Sequence, residues 1–185
     1  PNPGQFNTTF PLTRQSITDI SATCGGSPCS PTNTRITVNT SGAVEEHIYT
    51  TPPVRLNGVP GAAGWIFTFE GATRNNAIDN LTNPGSRDLL LRAKMFAFNG
   101  QNANVCYDNS PSFAEVPSSV LCTGDPFTYN HNAQDEELDS LVYSWAEPLD
   151  GLFGLYNEAT NPRVPFVNGY SFTSPFPGTL QNPNN

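Results

Sequence analysis

Lysine is almost absent from this chain of 185 residues: Lys94 is the only one. Lysine and arginine together number 8 against 16 acidic residues, so the formal net charge is −8. Because nucleic-acid binding needs clustered cations to neutralise phosphates, this balance argues against a nucleic-acid partner. The residues that build helix bundles (Ala, Leu, Glu and Lys) do not dominate, which argues against that class. No apolar run approaches the roughly 20 residues that cross a bilayer, so we expect no membrane span in this segment.

Sequence motifs of the common catalytic chemistries are also missing. The chain has no Gly-x-Ser-x-Gly, no phosphate-cradling glycine loop and no Cys-x-x-Cys. We interpret its two histidines as a strand-surface residue, His47, and a turn residue, His131. Nothing in the sequence places two carboxylates across a cleft, as a glycosidase requires. We therefore expect that the protein is not an enzyme.

Four cysteines are present, at positions 24, 29, 106 and 122. An even number in a loop-rich chain indicates two disulfides formed in an oxidising compartment, which predicts an extracellular location. Three pairings can join four cysteines, and we favour the local ones, Cys24–Cys29 and Cys106–Cys122. The first residue, Pro1, is not an initiator methionine, so we expect a mature chain or a fragment.

What the sequence does contain favours an all-β protein. Twelve Phe, six Tyr and two Trp can fill a core, while 18 Pro and 15 Gly suit turns between short strands. Trp65, Phe67 and Phe69 alternate along one predicted strand and are interpreted as sheet core. Strands are predicted at residues 35–38, 44–50, 65–69, 89–98, 126–130, 141–145 and 164–172, and one or two helical turns at residues 74–81.

The segment that carries chemistry is an acidic loop between two predicted strands. Asp135, Glu137 and Asp139 occupy alternate positions in it. Three carboxylates spaced in this way can converge on one centre, and Ca²⁺ takes six to eight hard oxygen ligands. The pattern therefore indicates a calcium loop, with a solvated acidic turn as the alternative.

Two stretches resemble cadherin repeats. Asp108-Asn109-Ser110-Pro111-x-Phe113 resembles the linker that opens such a repeat, and Asp135-x-Glu137-x-Asp139-Ser140-Leu141-x-Tyr143-Ser144 resembles the strand entry of bacterial cadherin-like domains. In that family the linker and the loop bind Ca²⁺ together and stiffen the joint between tandem β-sandwiches. The resemblance implies a ligand set of Asp108, Asn109, Asp135, Glu137 and Asp139.

Two positions in the loop depart from the cadherin-like pattern. Glu137 replaces the expected aspartate, and Leu138 replaces the glycine that lets the loop turn tightly.

Several further short motifs follow one another along the chain. They are Asn75 with Ala77-Ile78, Asn80-Leu81, Asn83-Pro84-Gly85, Asn109-Ser110-Pro111-x-Phe113, Cys122-x-Gly124-x-Pro126-Phe127-x-Tyr129-Asn130, the acidic loop and Gly169-Tyr170-Ser171. Their order is similar to that of the surface adhesins of Bacteroidota, the large proteins of gliding motility and type IX secretion. The resemblance implies an exported, calcium-stiffened adhesive or stalk module on the bacterial cell surface. Its partners would be neighbouring domains of the same chain and an unidentified surface polysaccharide or protein. Asp139-Ser140-Leu141 also resembles the O-glycosylation acceptor of that phylum, with Ser140 as the modified residue.

We therefore predict tandem β-sandwich modules of the immunoglobulin or cadherin type, with at most one short helix. An N-terminal β-rich module would span residues 1–107, and a cadherin-like or immunoglobulin-like repeat would span residues 108–185 and be incomplete at its C-terminus. The alternative function is a carbohydrate-binding module, because several aromatic side chains could offer flat faces to sugars. These are Trp65, Trp145, Tyr143, Tyr156 and Tyr170.

Overall fold

The computed structural model describes residues 8–21, 23–24, 27–28, 44–100, 109–115 and 130–176. Within these ranges the chain forms four antiparallel sheets of two strands each and a single 3-10 turn at Pro84–Ser86. The prediction of a β-rich protein with at most one short helix is confirmed. The described residues include no helix with the length and apolar character to span a membrane.

Contacts divide the chain into two units, and each takes residues from both halves of the sequence. The Trp65 unit contains the described residues 57–100 and 142–176. The acidic-loop unit contains the described residues of 8–56 together with 109–115 and 130–141. This grouping differs from a division at residue 108, which itself lies outside the described residues. The sandwich modules at 1–107 and 108–185 stay a prediction.

A regular hairpin forms the frame of the Trp65 unit. Strands β5 (Trp65–Gly71) and β6 (Leu89–Met95) pair along their whole length, from Trp65 opposite Met95 to Gly71 opposite Leu89. Alternating apolar residues in both segments suit this pairing, because side chains of a strand point to opposite faces in turn. The strands predicted over 65–69 and 89–98 are therefore confirmed.

The packed face of this hairpin is the one that the apolar pattern did not indicate. Leu90, opposite Glu70, is only 3% exposed, whereas Phe67 and Phe69 on the other face are 37% and 40% exposed. Glu70 accepts a hydrogen bond from the Leu152 backbone N–H at 2.7 Å, so a distant segment of chain lies on the Leu90 face. The interpretation of the aromatic face as the sheet core is corrected accordingly, because the packing partner of the hairpin decides which face is buried.

The small buried core of the Trp65 unit lies where this distant segment meets the hairpin. Leu81 bridges to Phe166, and Leu81 and Val164 are 8% and 2% exposed. The backbone bonds Thr82 N–H to Pro165 O (2.8 Å) and Val164 N–H to Pro148 O (2.9 Å) hold the segment in place.

Asp150, which is 7% exposed, is the buried carboxylate of this unit. It accepts hydrogen bonds from Arg87 Nη1 at 2.9 Å, from the Asp88 backbone N–H at 3.0 Å and from the Gly151 backbone N–H at 2.9 Å. Burial opposes ionisation of Asp150, but the Gly151, Arg87 and Asp88 bonds outweigh it and lower its pKa. The carboxylate is therefore held ionised where the chain from β5 to β6 meets the distant segment.

Glu158, which is half-exposed, joins the distant segment to β6 through several cations. It contacts Lys94 Nζ at 2.9 Å, Arg163 Nη2 at 3.2 Å and Arg92 Nη1. Arg92 also donates to the hydroxyl of Tyr156 at 2.7 Å. The bond from Lys94 is the largest cause that lowers the pKa of Glu158 to about 2; burial, the next largest, raises it, and the bonds with Arg92 and Tyr156 lower it further. Arg92 and Lys94, which share a face of β6 with Leu90, thus bind the distant segment through Glu158.

In the acidic-loop unit, the largest sheet pairs β1 (Thr13–Asp19) with β4 (Glu45–Thr50), with an irregularity in register between Arg14 and Ser16. The strand predicted over 44–50 is confirmed. The described residues of this unit also form two shorter pairs. They are β2 (Thr23–Cys24) with β3 (Ser27–Pro28), and β7 (Ser112–Phe113) with β8 (Ala133–Gln134).

Three predicted elements are not found as predicted. Residues 141–145 form no strand, and Trp145 stays 61% exposed. Residues 164–172 make isolated bridges instead of a strand, and residues 74–81 form turns rather than a helix. Periodicity alone does not supply the neighbouring strand that a ladder requires. The strands predicted at 35–38 and 126–130 fall outside the described residues except for Asn130.

Candidate functional site

The acidic loop follows directly from a short antiparallel ladder. Ser112 of β7 lies opposite Gln134 of β8, and Phe113 lies opposite Ala133. A further bond, from the Ala114 backbone N–H to Asn132 O at 3.1 Å, continues the pairing beyond the ladder. Because the strands are antiparallel, the residues before β7 and those after β8 leave the ladder at the same end. The register therefore brings Asn109 beside the loop that starts at residue 135.

Asp135 fixes the shape of the loop through its own side chain. Its Oδ1 accepts the backbone N–H groups of Glu137 and Asp139, both at 3.0 Å. Its backbone carbonyl accepts the N–H of Leu138 at 3.3 Å. This is the local bonding by which an aspartate closes a turn on its own backbone.

Leu138 occupies the left-handed region of backbone space, with φ at 64°, and is 90% exposed. A non-glycine residue in this region carries a steric penalty of about 1–2 kcal/mol. The cadherin-like pattern places a glycine at this position, and the conformation of Leu138 is the one that glycine adopts readily. The loop thus makes the tight turn despite the substitution.

Asn109 clasps two carboxylates of the loop. Its Nδ2 donates to Glu137 Oε1 at 2.7 Å and to Glu136 Oε2 at 3.1 Å, and its backbone N–H donates to Glu137 Oε2 at 3.3 Å. We refer to these three bonds as the Asn109 clasp. They connect the described end of the predicted linker to a loop 28 residues further along the chain.

The structure brings together three of the residues singled out in the sequence: Asn109, Asp135 and Glu137. The Asp139 backbone joins them through Asp135, while Asp139 and Ser140 are both exposed. Asp108 lies outside the described residues. So do Cys29, Cys106 and Cys122 and the side chain of Cys24, so the disulfide pairings stay a prediction.

Glu136 is the residue that sequence reasoning missed. Counting alternate positions assumes an extended strand, in which Glu136 would point away from Glu137. After β8 the chain turns instead, and neighbouring side chains can reach the same amide. An aspartate that starts a turn, as Asp135 does, is the sequence signal that could have identified this.

The donor chemistry of the loop suits a hard cation such as Ca²⁺, but the described side chains do not form a preformed cage. No group of three or more His, Cys, Asp or Glu residues able to hold a metal is found in the described parts of the chain. N–H groups occupy Asp135 Oδ1 and both Glu137 oxygens, where a cation would need lone pairs. As arranged, these carboxylates are held by hydrogen bonds from neutral N–H groups.

Both histidines are placed within the acidic-loop unit. His47 lies exposed on β4, with its Nε2 2.5 Å from Glu45 Oε2 and its Nδ1 3.3 Å from the hydroxyl of Tyr49. The interpretation of His47 as a strand-surface residue is confirmed. The ring of His131 lies 5.7 Å from that of Phe113, next to the short ladder.

The chain matches no known family model, no curated protein and no solved structure. The resemblance to cadherin-like repeats and to Bacteroidota adhesins therefore stays a prediction from the motifs.

Proposed function

We propose that this chain is a structural and adhesive segment of a large secreted cell-surface protein, with calcium stiffening the junction around residues 108–109. The Asn109 clasp is the observation that carries the proposal. It ties the segment that resembles a cadherin linker to the acidic loop that would bind calcium with it.

Repulsion between the carboxylates of the loop is the unfavourable energy that a bound calcium ion would reduce. Asp135, Glu136, Glu137 and Asp139 place four carboxylates within five residues, and Asp108 would add a fifth. Like charges at this spacing repel, and hydrogen bonds from one amide offset that only in part. A bound cation would neutralise the loop and contribute folding free energy to the junction, because the unfolded chain offers no formed site. Asn109, Asp135, Glu137, Asp139 and Asp108 are the proposed ligands.

The proposed role is extracellular and not catalytic. Its partners are the neighbouring domains of the same chain and a surface polysaccharide or protein. Ser140, exposed at the end of the loop, stays our candidate for O-glycosylation. A sugar there would be carried beside the proposed calcium ligands.

The test is a thermal melt of the chain in saturating calcium and then in EDTA. We expect calcium to raise Tm by several degrees, where about 3–4 °C corresponds to roughly 1 kcal/mol at this size. Glu137→Gln should abolish the calcium-dependent shift, because it removes a ligand charge and keeps the side-chain shape.

The matched control is Glu115→Gln, which removes one exposed charge from the same unit outside the loop. It should keep the full calcium-dependent shift. Equal melts in calcium and EDTA for the unsubstituted protein would overturn the calcium proposal and leave the loop a solvated turn.

One observation favours the alternative, a carbohydrate-binding module. Trp145 and Tyr143 are 61% and 56% exposed instead of filling a core. Exposed aromatic faces beside polar groups are a common means of binding sugars. A glycan array separates the two functions, because a signal that Trp145→Ala removes belongs only to the sugar-binding one.

A further inference from the structure

A polar cleft opens in the Trp65 unit beside the 3-10 turn. Its volume is about 580 Å³, within the range of sites for small molecules. It shares no residue with the acidic loop. The lining consists of one cationic and five small or amide-bearing residues: Thr73, Arg74, Asn76, Asn83, Gly85 and Ser86.

Backbone hydrogen bonds fix the walls of the cleft. The Ser86 backbone N–H and hydroxyl both donate to Asn83 O, at 3.1 and 2.9 Å. The Arg74 backbone N–H donates to Arg87 O at 2.9 Å, which fastens one wall to the residue after the 3-10 turn. A wall formed before binding loses less conformational freedom when a ligand arrives.

Gly85 closes the cleft tightly against Asn76. A Cβ atom at Gly85 would lie 2.6 Å from Asn76 Oδ1 and 3.0 Å from its Cβ. Any side chain at Gly85 would therefore displace the Asn76 amide. This contact gives the cleft a position at which its shape can be changed without touching its charge.

Arg74 is the only charged residue of the lining, and its guanidinium is poorly satisfied. Its Nη2 donates to Leu149 O at 2.7 Å, whereas its buried Nε has no acceptor among the described residues. Burial lowers the pKa of Arg74, and the charge of Asp150 offsets this only in part. A guanidinium carries five N–H donors in a planar fork that matches a carboxylate. The guanidinium of Arg74 thus keeps donor capacity beyond its bond to Leu149 O.

The rest of the lining is suited to hydroxyl groups. Asn83 makes no capping hydrogen bond with its side chain, so its amide is available as donor and acceptor. Asn76 adds a second amide, and Thr73 and Ser86 add hydroxyls. No carboxylate and no large apolar side chain belongs to the lining. An apolar ligand would find no partner there, and a neutral sugar would make no ion pair with Arg74.

We propose that this cleft binds the carboxylate-bearing sugar unit of an acidic polysaccharide. Arg74 pairs with the sugar carboxylate, and Asn76, Asn83 and Ser86 take its hydroxyls. The inference goes beyond the structural role proposed above and does not depend on the acidic loop. The net charge of −8 opposes any anion at long range, but at physiological salt charges more than about 8 Å apart are largely screened.

The experiment is an NMR titration of the isotope-labelled chain in EDTA, which keeps the calcium proposal out of the result. D-glucuronate is the probe. D-glucose, which lacks the carboxylate, and acetate, which lacks the sugar ring, are its controls. We expect glucuronate to shift the Arg74 Nε–H and Gly85 N–H signals with a Kd of about 1 mM, as suits one small unit of a polymer. Glucose and acetate should each bind at least about tenfold more weakly, a difference of about 1.4 kcal/mol.

Two variants and two controls locate the binding. Arg74→Gln should abolish glucuronate binding, while Arg55→Gln, which removes the same charge from the other unit, should leave it unchanged. Because Arg74 also supports Leu149 O, the second variant is Gly85→Ala, which alters the cleft through Asn76 alone. It should weaken binding at least about tenfold, whereas Gly61→Ala, at a glycine with nothing within 4 Å of the added Cβ, should not.

Four results would overturn the inference. Glucose binding as tightly as glucuronate would remove the role of the carboxylate. Acetate as strong as glucuronate would reduce the cleft to a plain anion site. Unchanged glucuronate binding in both Arg74→Gln and Gly85→Ala would show that the sugar binds outside the cleft. No binding of any probe would show that the cleft is not a sugar site.

Discussion

Carboxylates in the two units are held by different donors. In the acidic-loop unit, Asp135 and Glu137 take backbone and amide N–H groups near the surface. In the Trp65 unit, Asp150 and Glu158 take arginine and lysine, and Asp150 is nearly buried. Neutral donors near water leave the loop with its negative charge. Cationic partners leave the Trp65 carboxylates neutralised, so their role is to hold distant segments together.

The largest effect should come from removing the buried carboxylate. Asp150→Ala deletes the acceptor of three hydrogen bonds and leaves Arg87 without its counter-charge. We expect a loss of about 2–3 kcal/mol, which corresponds to roughly 4–12 °C in Tm. Calorimetry in EDTA measures it.

The matched control is Asp139→Ala, at an exposed aspartate of the acidic loop. In EDTA it should change stability by no more than about 0.5 kcal/mol. Equal losses of stability in Asp150→Ala and Asp139→Ala would show that the cationic partners of Asp150 do not make it more important for stability than a carboxylate of the acidic loop.

The next effect tests how closely the distant segment packs on the hairpin. A Cβ at Gly151 would lie 2.7 Å from Glu70 Oε1 and 2.8 Å from Asp88 Oδ2. Glu70 cannot move away freely, since it accepts the Leu152 N–H. Gly151→Ala should therefore cost about 1–3 kcal/mol in urea unfolding. Gly61→Ala in the same unit serves as the control, and a Gly151→Ala protein as stable as that control would contradict the packing.

A smaller effect should appear in acid. Because the folded-state pKa of Glu158 is lowered to about 2, its contribution is present above the unfolded value near 4.5 and is lost as pH falls toward 2. Solvent screens this half-exposed group, so we expect about 0.5–1 kcal/mol at most. Melts from pH 5 to pH 2 should fall less steeply in Glu158→Gln than in the unsubstituted protein. If Tm falls equally with pH in both proteins, Glu158 does not contribute to stability.

The smallest effect concerns the turn of the acidic loop. Leu138→Gly relieves the left-handed strain of an exposed residue and increases the entropy of the unfolded chain. These terms nearly balance, and we expect a gain of about 0.5 kcal/mol. Chemical denaturation would detect it as a higher midpoint with an unchanged slope. A lower midpoint would mean that Leu138 makes a stabilising contact.

The hairpin could be predicted from the sequence because its signal is local. Alternation over seven residues was enough to find β5 and β6. Which face packs could not be predicted, because the face that carries Glu70 and Leu90 meets a segment more than 60 positions later, where Leu152 bonds to Glu70.

The acidic loop shows the same limit at shorter range. Asn109 and Glu137 were predicted to meet, and the register of β7 and β8 explains why they do. Glu136 was missed because the turn, not the strand, sets its direction. The polar cleft gave no sequence signal, since Arg74 and Asn83 are brought together by tertiary bonds.

Glu158 also sets how the Trp65 unit tolerates substitution. One anion serves three cations, Arg92, Lys94 and Arg163. Loss of any one cation leaves Glu158 paired with the other two, so each of these cations is partly redundant. Loss of the anion leaves Arg92 and Lys94 without this acidic partner, while Arg163 keeps Glu147, 3.6 Å away. Substitutions should therefore accumulate more readily at the three cations than at the single carboxylate, an asymmetry that a survey of random variants would reveal.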